Sequence, residues 1–370
     1  MKKPKLSKRL KKPKRLPQAI PRPKLLKRAK ATEERVSEAL STVPRITNET
    51  VGEHREEVLS SARKYIYPLQ HSKHHVVRTS IMLLVLVVVG FVGVCSLQLY
   101  KLQSTSGFIY DVTRVLPFPV AKAGKTWVGY ESYLFELRRN MHYYQTQQQV
   151  NFSTKDGKAQ LTRLKQQALA QVVGDAYVKQ LAAQHGVTVS NQAVDNQVAL
   201  VRSENRLGSS NREFRTVLSE FWGWNETDFK RELKQQLLQQ AVVAKLDTPT
   251  TARAEAALKQ LQGGAVFATL ASQVSDDTNT KANGGQYTTA IAANDPNLAP
   301  AITEALLKLK PGQTSGIVNS GYTLEILKIT DVSGSTVHAA HIQFTFQLIN
   351  TYTKPLHAKE PVHEYIKIKS

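Results

Sequence analysis

The spacing of apolar positions changes along the chain, and the changes divide it. From Ser80 to Tyr100 (SIMLLVLVVVGFVGVCSLQLY) no residue is charged and most are apolar. About 20 such residues at 1.5 Å per residue cross a hydrocarbon core of about 30 Å. Beyond it, Val120–Gly129 reads as two short strands about a glycine turn, and Tyr130–Gln145 as a helix. Between Leu161 and His185, Leu161, Leu164, Ala168, Val172, Ala176 and Leu181 recur at helical spacing, and Gly186 supplies a left-handed stop. Ser190 is placed to cap a helix over Asn191–Glu204, and another is expected over Asn211–Phe221. Asn225, with Asp228 three residues on, forms a capping-box variant for Glu226–Leu246. Residues 247–253 (DTPTTAR) read as a Pro/Thr linker. After it, helices are expected at Ala254–Leu261, Val266–Val274 and Pro300–Leu309, with a polar loop at Ser275–Gly285. Strands follow at Gly316–Asn319, Thr323–Val332 and, past the turn Ser333–Ser335, Val337–Phe346. The fold class is α+β: one transmembrane helix, a helical domain, then an antiparallel sheet with flanking helices.

Charge adds an orientation. Residues 1–79 hold 21 Lys/Arg against 7 Asp/Glu, a net +14 of the +21 carried by all 370 residues. Within 2–30 there are 14 Lys/Arg, no acid and five prolines, a composition that cannot bury a core. Arg63, Lys64, Lys73 and Arg78 precede the apolar run while only Lys101 closely follows, so the positive-inside rule puts the tail in the cytoplasm and the body outside, across the cell membrane. The leader is too long, and the apolar run too extended, for a cleaved signal peptide. The tail is expected to attract anionic lipid headgroups, at about 1 kcal/mol per basic residue near the surface. RNA is the alternative partner, but no aromatic residue interleaves the first 30 to stack on bases, and no specific nucleic acid is expected. The single Cys excludes an internal disulfide framework and a Cys-based zinc site, and no metal or cofactor motif stands out.

Several short motifs in the last third carry a resemblance. Phe267-Ala-Thr-Leu-Ala-Ser-Gln-Val-Ser275-Asp-Asp277, Gly284-Gly285, Leu309-Lys-Pro-Gly312, Ser315-Gly-Ile-Val318 and Gly321-Tyr322 follow the order seen in parvulins, the peptidyl-prolyl cis/trans isomerases. Leu169–Val187, Val189–Ser190 and Phe229–Lys245 resemble the helical N-terminal domain of SurA-like and PrsA-like exported foldases. The organisation implied is a basic, largely disordered cytoplasmic tail (1–79), a membrane helix (80–100), a helical chaperone-like domain (105–246), a parvulin-like domain (254–346) and a C-terminal extension (347–370). Parvulins open with a strand bearing a His. Asp247–Arg253 lacks both, whereas Val337-His-Ala-Ala-His341-Ile-Gln-Phe344 looks like that strand, displaced to the far side of the domain. A circular permutation, with a hairpin through Ser333–Ser335, accounts for this order; a truncated second parvulin unit is the competing account.

The resemblance also implies a site. Asp277 falls at the position of the parvulin Cys or Asp near the reacting carbonyl, and His341 matches the first-strand His. Thr323 stands where a second His is usual. Leu298 and Ile302 match the Met and Phe that wall the proline pocket, and no cofactor is required. Plainer alternatives stand beside these: Asp277 as a turn cap, His341 as a hydrogen-bonded core residue, and Trp222 and Trp224 as packing anchors rather than a client-contact surface. The function implied is a membrane-anchored extracytoplasmic foldase that binds unfolded exported polypeptides and isomerises X–Pro bonds. The alternative is a non-catalytic chaperone or envelope scaffold using the unit as a peptide clamp.

Overall fold

A computed structural model describes residues 47–66, 69–203, 207–208, 210–293 and 295–368. The expected disorder of residues 2–30 lies outside them, as does Glu33–Leu40, whose mixed charge in the sequence allows a loose helix. The chain divides into two compact units, Met1–Leu86 and Val87–Ser370. In the first, α1 (Asn48–Ile66) is a helix of 19 residues. The second helix, α2 (Leu69–Ser96), ends in a single π turn, Leu97–Lys101. His74–Lys101 is long and apolar enough to cross a membrane by length and composition.

In the second unit the end of α2 is built into the first core. Cys95 and Leu99 are buried in one cluster with Val120, Tyr130, Tyr133 and Ala168. Tyr130 Oη donates to the Leu99 carbonyl at 2.6 Å and Tyr100 Oη to that of Pro119 at 2.7 Å. A short helix the sequence pattern does not announce, α3 (Gly107–Val115), follows. Strands β1 (Pro119–Ala123) and β2 (Thr126–Gly129) pair antiparallel, and α4 (Tyr130–Thr146) leads into α5 (Lys155–Gln184). The last starts six residues before its apolar stripe because Thr154 caps it, Oγ1 accepting from Gly157 N at 3.1 Å. Helices α6 (Asn191–Ser203), α7 (Asn211–Trp222) and α8 (Glu226–Leu246) complete this part. Asn225 and Asp228 form the reciprocal capping box, at 3.0 and 3.1 Å. Trp224 stacks on Phe135 and on Trp222, with ring centroids 5.4 and 5.7 Å apart.

Residues 247–253 form no linker. Asp247 caps α9 (Thr248–Gln262) by accepting from Thr250 N, and Pro249 sits in the first turn, where its missing N–H costs nothing. Helix α10 (Phe267–Val274), the two-residue strand β3 (Ile291–Ala292) and α11 (Pro300–Leu307) precede β4 (Thr314–Asn319), β5 (Thr323–Ser333) and β6 (Thr336–Thr345). The sheet is antiparallel in the order β3-β6-β5-β4, so β6 is an internal strand joined to β5 by a tight hairpin. Period-two alternation gives it two faces. Ala340, Ile342 and Phe344 pack with Phe267, Leu270 and Ala257 of α9 and α10. Val337 and Ala339 pack with Leu327, Ile329 and the α11 residues Ile302 and Leu306.

The segment after Phe346, read as an extension, returns to the first core. Helix α12 (Ile349–Lys359) and strand β7 (Val362–Glu364) follow, and β7 pairs with β1 to make a second sheet, β2-β1-β7. Ile366 is 1% exposed in the Tyr130 cluster. Tyr177 Oη donates to the Glu360 carbonyl at 2.6 Å, and Gln180 Nε2 to Glu360 Oε2 at 2.7 Å.

Candidate active site

His341 lies opposite Leu327 in the β5–β6 register, so Glu325, two residues earlier on β5, is its diagonal neighbour on the same face. The loop after α10 is stitched along β6. Asp276 N donates to the Gln343 carbonyl at 2.8 Å, Gln343 N to Ser275 Oγ at 3.1 Å, and His341 N to the Gly285 carbonyl at 2.8 Å. Arg253 holds the Asp276 carboxylate at 2.6 Å. This stitching needs a glycine. At Gly285 (φ +79°) a Cβ would stand 2.1 Å from the His341 carbonyl oxygen.

The loop thereby delivers Asp277 and Thr280 to the His341 ring. His341 Nε2 is 3.0 Å from Asp277 Oδ2 and 2.9 Å from Thr280 Oγ1, which itself donates to Asp277 Oδ2 at 2.5 Å. On the other side of the ring, Nδ1 is 2.9 Å from Glu325 Oε2. Glu325 Oε1 accepts from Thr323 Oγ1 at 2.8 Å, and Oε2 from Tyr287 Oη at 3.3 Å. The Tyr287 ring stacks on the imidazole, centroids 4.4 Å apart. Burial opposes charge on His341, but Glu325 and Asp277 outweigh it and hold the ring above its ordinary pKa. Burial also opposes charge on Asp277; hydrogen bonds from Thr280, Asn279 N and His341 overcome it and keep the carboxyl below its ordinary range. Desolvation, then the Glu325 charge, drives the Tyr287 hydroxyl far up, so it stays a proton donor.

Of the residues singled out from the sequence, Asp277, His341 and Thr323 therefore share one network, Thr323 through Glu325. Leu298 and Ile302 lie elsewhere on the same sheet face. Ile302 is 1% exposed and serves as core between Ile291, Leu306 and Leu327, while Leu298 is partly buried at the margin of that cluster. Glu325, Tyr287 and Thr280 are members that sequence reasoning missed. Glu325 left a signal, a lone acid at an inward position of Thr323–Ser333, where burial demands a partner; the other two sit in an aperiodic loop. Among the described residues no group of three His, Cys, Asp or Glu could hold a metal ion.

A separate groove of about 390 Å³ lies in the helical part, with Phe135, Val172 and Leu238 beside Glu136, Asp175 and Glu232. Arg139 reaches Glu136 at 2.8 Å and Glu232 at 3.6 Å. Burial first, then the nearby Glu232 and Asp175, push the Glu136 carboxyl up to about 8 against the pull of Arg139. Asp175 rises to about 6, mainly by burial and the Glu232 charge.

Comparison with known proteins bears on both parts. Residues 69–243 match the SurA-like N-terminal domain, and residues 237–331 the PPIC-type PPIase domain. The second match includes Asp277, Leu298, Ile302 and Thr323 and stops ten residues before His341. No curated protein is significantly similar to the chain. Among solved structures, the foldase protein PrsA from Streptococcus pneumoniae is 18% identical, over 56% of this chain and 84% of that one, with a TM-score of 0.21. What the domain matches establish is that the chain joins a SurA-like N-terminal domain to a PPIC-type peptidyl-prolyl cis-trans isomerase domain.

Proposed function

We propose that the protein is a membrane-anchored extracytoplasmic foldase whose helical domain holds unfolded exported chains while the network around His341 and Asp277 isomerises their X–Pro bonds. The observation that carries this reading is the part-buried His341–Asp277 contact at 3.0 Å, made across 64 residues of chain from a strand that resembles the missing first one. Rotation about a peptide bond faces a barrier of about 18–20 kcal/mol from amide resonance. Lowering it needs no nucleophile, only a site that favours the twisted amide over the planar one. A triply hydrogen-bonded Asp277 carboxylate is a fixed negative charge that need not reorganise as the carbonyl turns. Leu298 forms the reachable wall for the proline ring, with Ile302 packed behind it.

The permuted order is part of this proposal. The PPIase match ends within β5, α9 occupies the place of the usual first strand, and β6 lies antiparallel beside β5. Anchoring through Ser80–Tyr100, with residues 1–79 cytoplasmic and bound to anionic lipid, rests on the charge asymmetry and on the apolar helix. Protease added outside spheroplasts should remove the body and spare the tail; a protected body overturns this topology.

The catalytic test is an X–Pro isomerisation assay on the full chain, with Asp277→Ala and His341→Ala beside it. Acceleration by the wild type and its loss in both variants is the expected result. One feature favours the rival clamp: Ile302, in place of an aromatic pocket wall, is core. Equal rates with and without the protein, alongside suppressed aggregation of a denatured client, would establish that clamp and end the catalytic reading.

A further inference from the structure

The resemblance places a second His at Thr323, but in this chain Thr323 donates its hydroxyl to Glu325 instead, and it is Glu325 that meets the His341 ring. Resting on the isomerase reading above, we propose that Glu325 is a positioning residue which, together with Asp277, fixes His341 as an imidazolium donating from both ring nitrogens and so holds the Asp277 carboxylate in place.

A neutral imidazole has one N–H and one lone pair, whereas an imidazolium has two donors. Both nitrogens of His341 face carboxylate oxygens directly, Nδ1 at 2.9 Å and Nε2 at 3.0 Å, and the residue is 4% exposed. A neutral ring would keep a lone pair on one nitrogen: at Nδ1 it would face Glu325, and at Nε2 it could be met only by turning the Thr280 hydroxyl away from Asp277 Oδ2, leaving those two oxygens 2.5 Å apart with no proton between them, a costly arrangement beside a buried ring. Moving the proton to either carboxylate fares worse. Glu325 already accepts from Thr323 Oγ1 and Tyr287 Oη, and Asp277 from Thr280 Oγ1 and Asn279 N, donors that favour the ionised acids. The groups facing the ring are Glu325 from β5, Asp277 and Thr280 from the loop after α10, and the Tyr287 ring stacked at 4.4 Å. Among the described residues, no Lys or Arg forms an ion pair with either carboxylate, so the ring is their only cationic partner. With both nitrogens occupied, His341 has no donor left for a substrate. Its effect passes through Asp277, and Glu325 acts one step further back.

The test uses the full chain in detergent micelles with 15N-histidine, the His341 signals being those lost in His341→Gln. The wild type should show both ring nitrogens protonated at pH 7. Glu325→Gln should weaken proton binding to the ring about ten- to hundredfold, the size expected for one charge-assisted hydrogen bond. Isomerisation by the wild type should be flat from pH 6 to 7.5, whereas kcat/KM of Glu325→Gln should fall as pH rises through the lowered His341 pKa, with Glu325→Asp restoring part of it. A neutral His341 in the wild type at pH 7, or the same His341 titration in Glu325→Gln, overturns the proposal. The wild-type titration decides alone if Glu325→Gln does not fold. Should the ring titrate as expected while the wild type isomerises nothing, the isomerase reading fails and the placement of the proton stands.

Discussion

Glu136 offers a measurement of what the buried carboxyls of the groove cost the fold. Its ordinary pKa of 4.5 is raised to about 8 in the folded protein. Below pH 4.5 the group is neutral whether the chain is folded or not, and it contributes no pH dependence. Between 4.5 and about 8 the unfolded chain has released this proton and the folded chain has kept it, so each pH unit favours unfolding by up to about 1.4 kcal/mol. Asp175 acts in the same direction but is spent above about 6. From pH 6 to 7.5 the slope therefore isolates Glu136 within the groove and amounts to about 2 kcal/mol, or about 4–8 °C of midpoint for a body of this size. His341, whose pKa is also raised, loses stabilising charge as pH climbs through its folded value. It does so equally in wild type and variant, so the difference between them is unaffected. Glu136→Gln removes the titration and keeps the shape. Urea unfolding of both proteins at several pH values, followed by the fluorescence of Trp224 on Phe135, should give a flatter curve for Glu136→Gln, crossing above the wild type toward pH 7.5. Parallel curves would mean that Arg139 keeps Glu136 ionised, and the argument from burial would be refuted.

Other expectations follow from single contacts. Gly285→Ala puts a Cβ 2.1 Å from the His341 carbonyl oxygen at a left-handed backbone position, so the loop must leave β6; isomerase activity should vanish and the melting midpoint fall, and an active, stable variant would refute the stitching. Ile366→Ala opens a cavity in the Tyr130 cluster and should cost about 2–5 kcal/mol by denaturant titration, whereas an unchanged midpoint would detach the C-terminal segment from that core. Deleting residues 2–30 should leave the melting of the body unchanged and weaken binding to anionic vesicles, an effect that fades with added salt.

Periodicity carried the long elements. The α8 helix and the β5–β6 hairpin are legible because a stripe or an alternation persists over many residues, and the capping box at Asn225 announces itself by spacing alone. Residues 247–253 misled because Asp, Thr and Pro are also linker residues; the alternative, an Asp cap with Pro in the first turn, is a helix start. At the C-terminal end, Pro355 inside α12 disguises a helix, and a three-residue strand is too short to show any period. In the network, His341 and Asp277 could be placed by motif order. Tyr287 and Thr280 could not, since their positions depend on Gly284 and Gly285 turning an aperiodic loop back onto β6.

Asp247 has a consequence for how such a chain can be assembled from parts. One of its carboxylate oxygens caps α9, accepting from Thr250 N at 3.3 Å; the other accepts from Gln347 N, just past β6, at 2.7 Å. Entry and exit thus meet at one buried side chain, 100 residues apart in sequence. To the Tyr130 cluster, which is finished only by β7 and Ile366, everything between Asp247 and Gln347 is topologically a short bridge. A domain whose ends are already closed can be exchanged, duplicated or excised for a few turn residues with little loop-closure entropy at stake. Exchanging the residues between Asp247 and Gln347 as one cassette should therefore leave the Tyr130 cluster closed by β7 and Ile366.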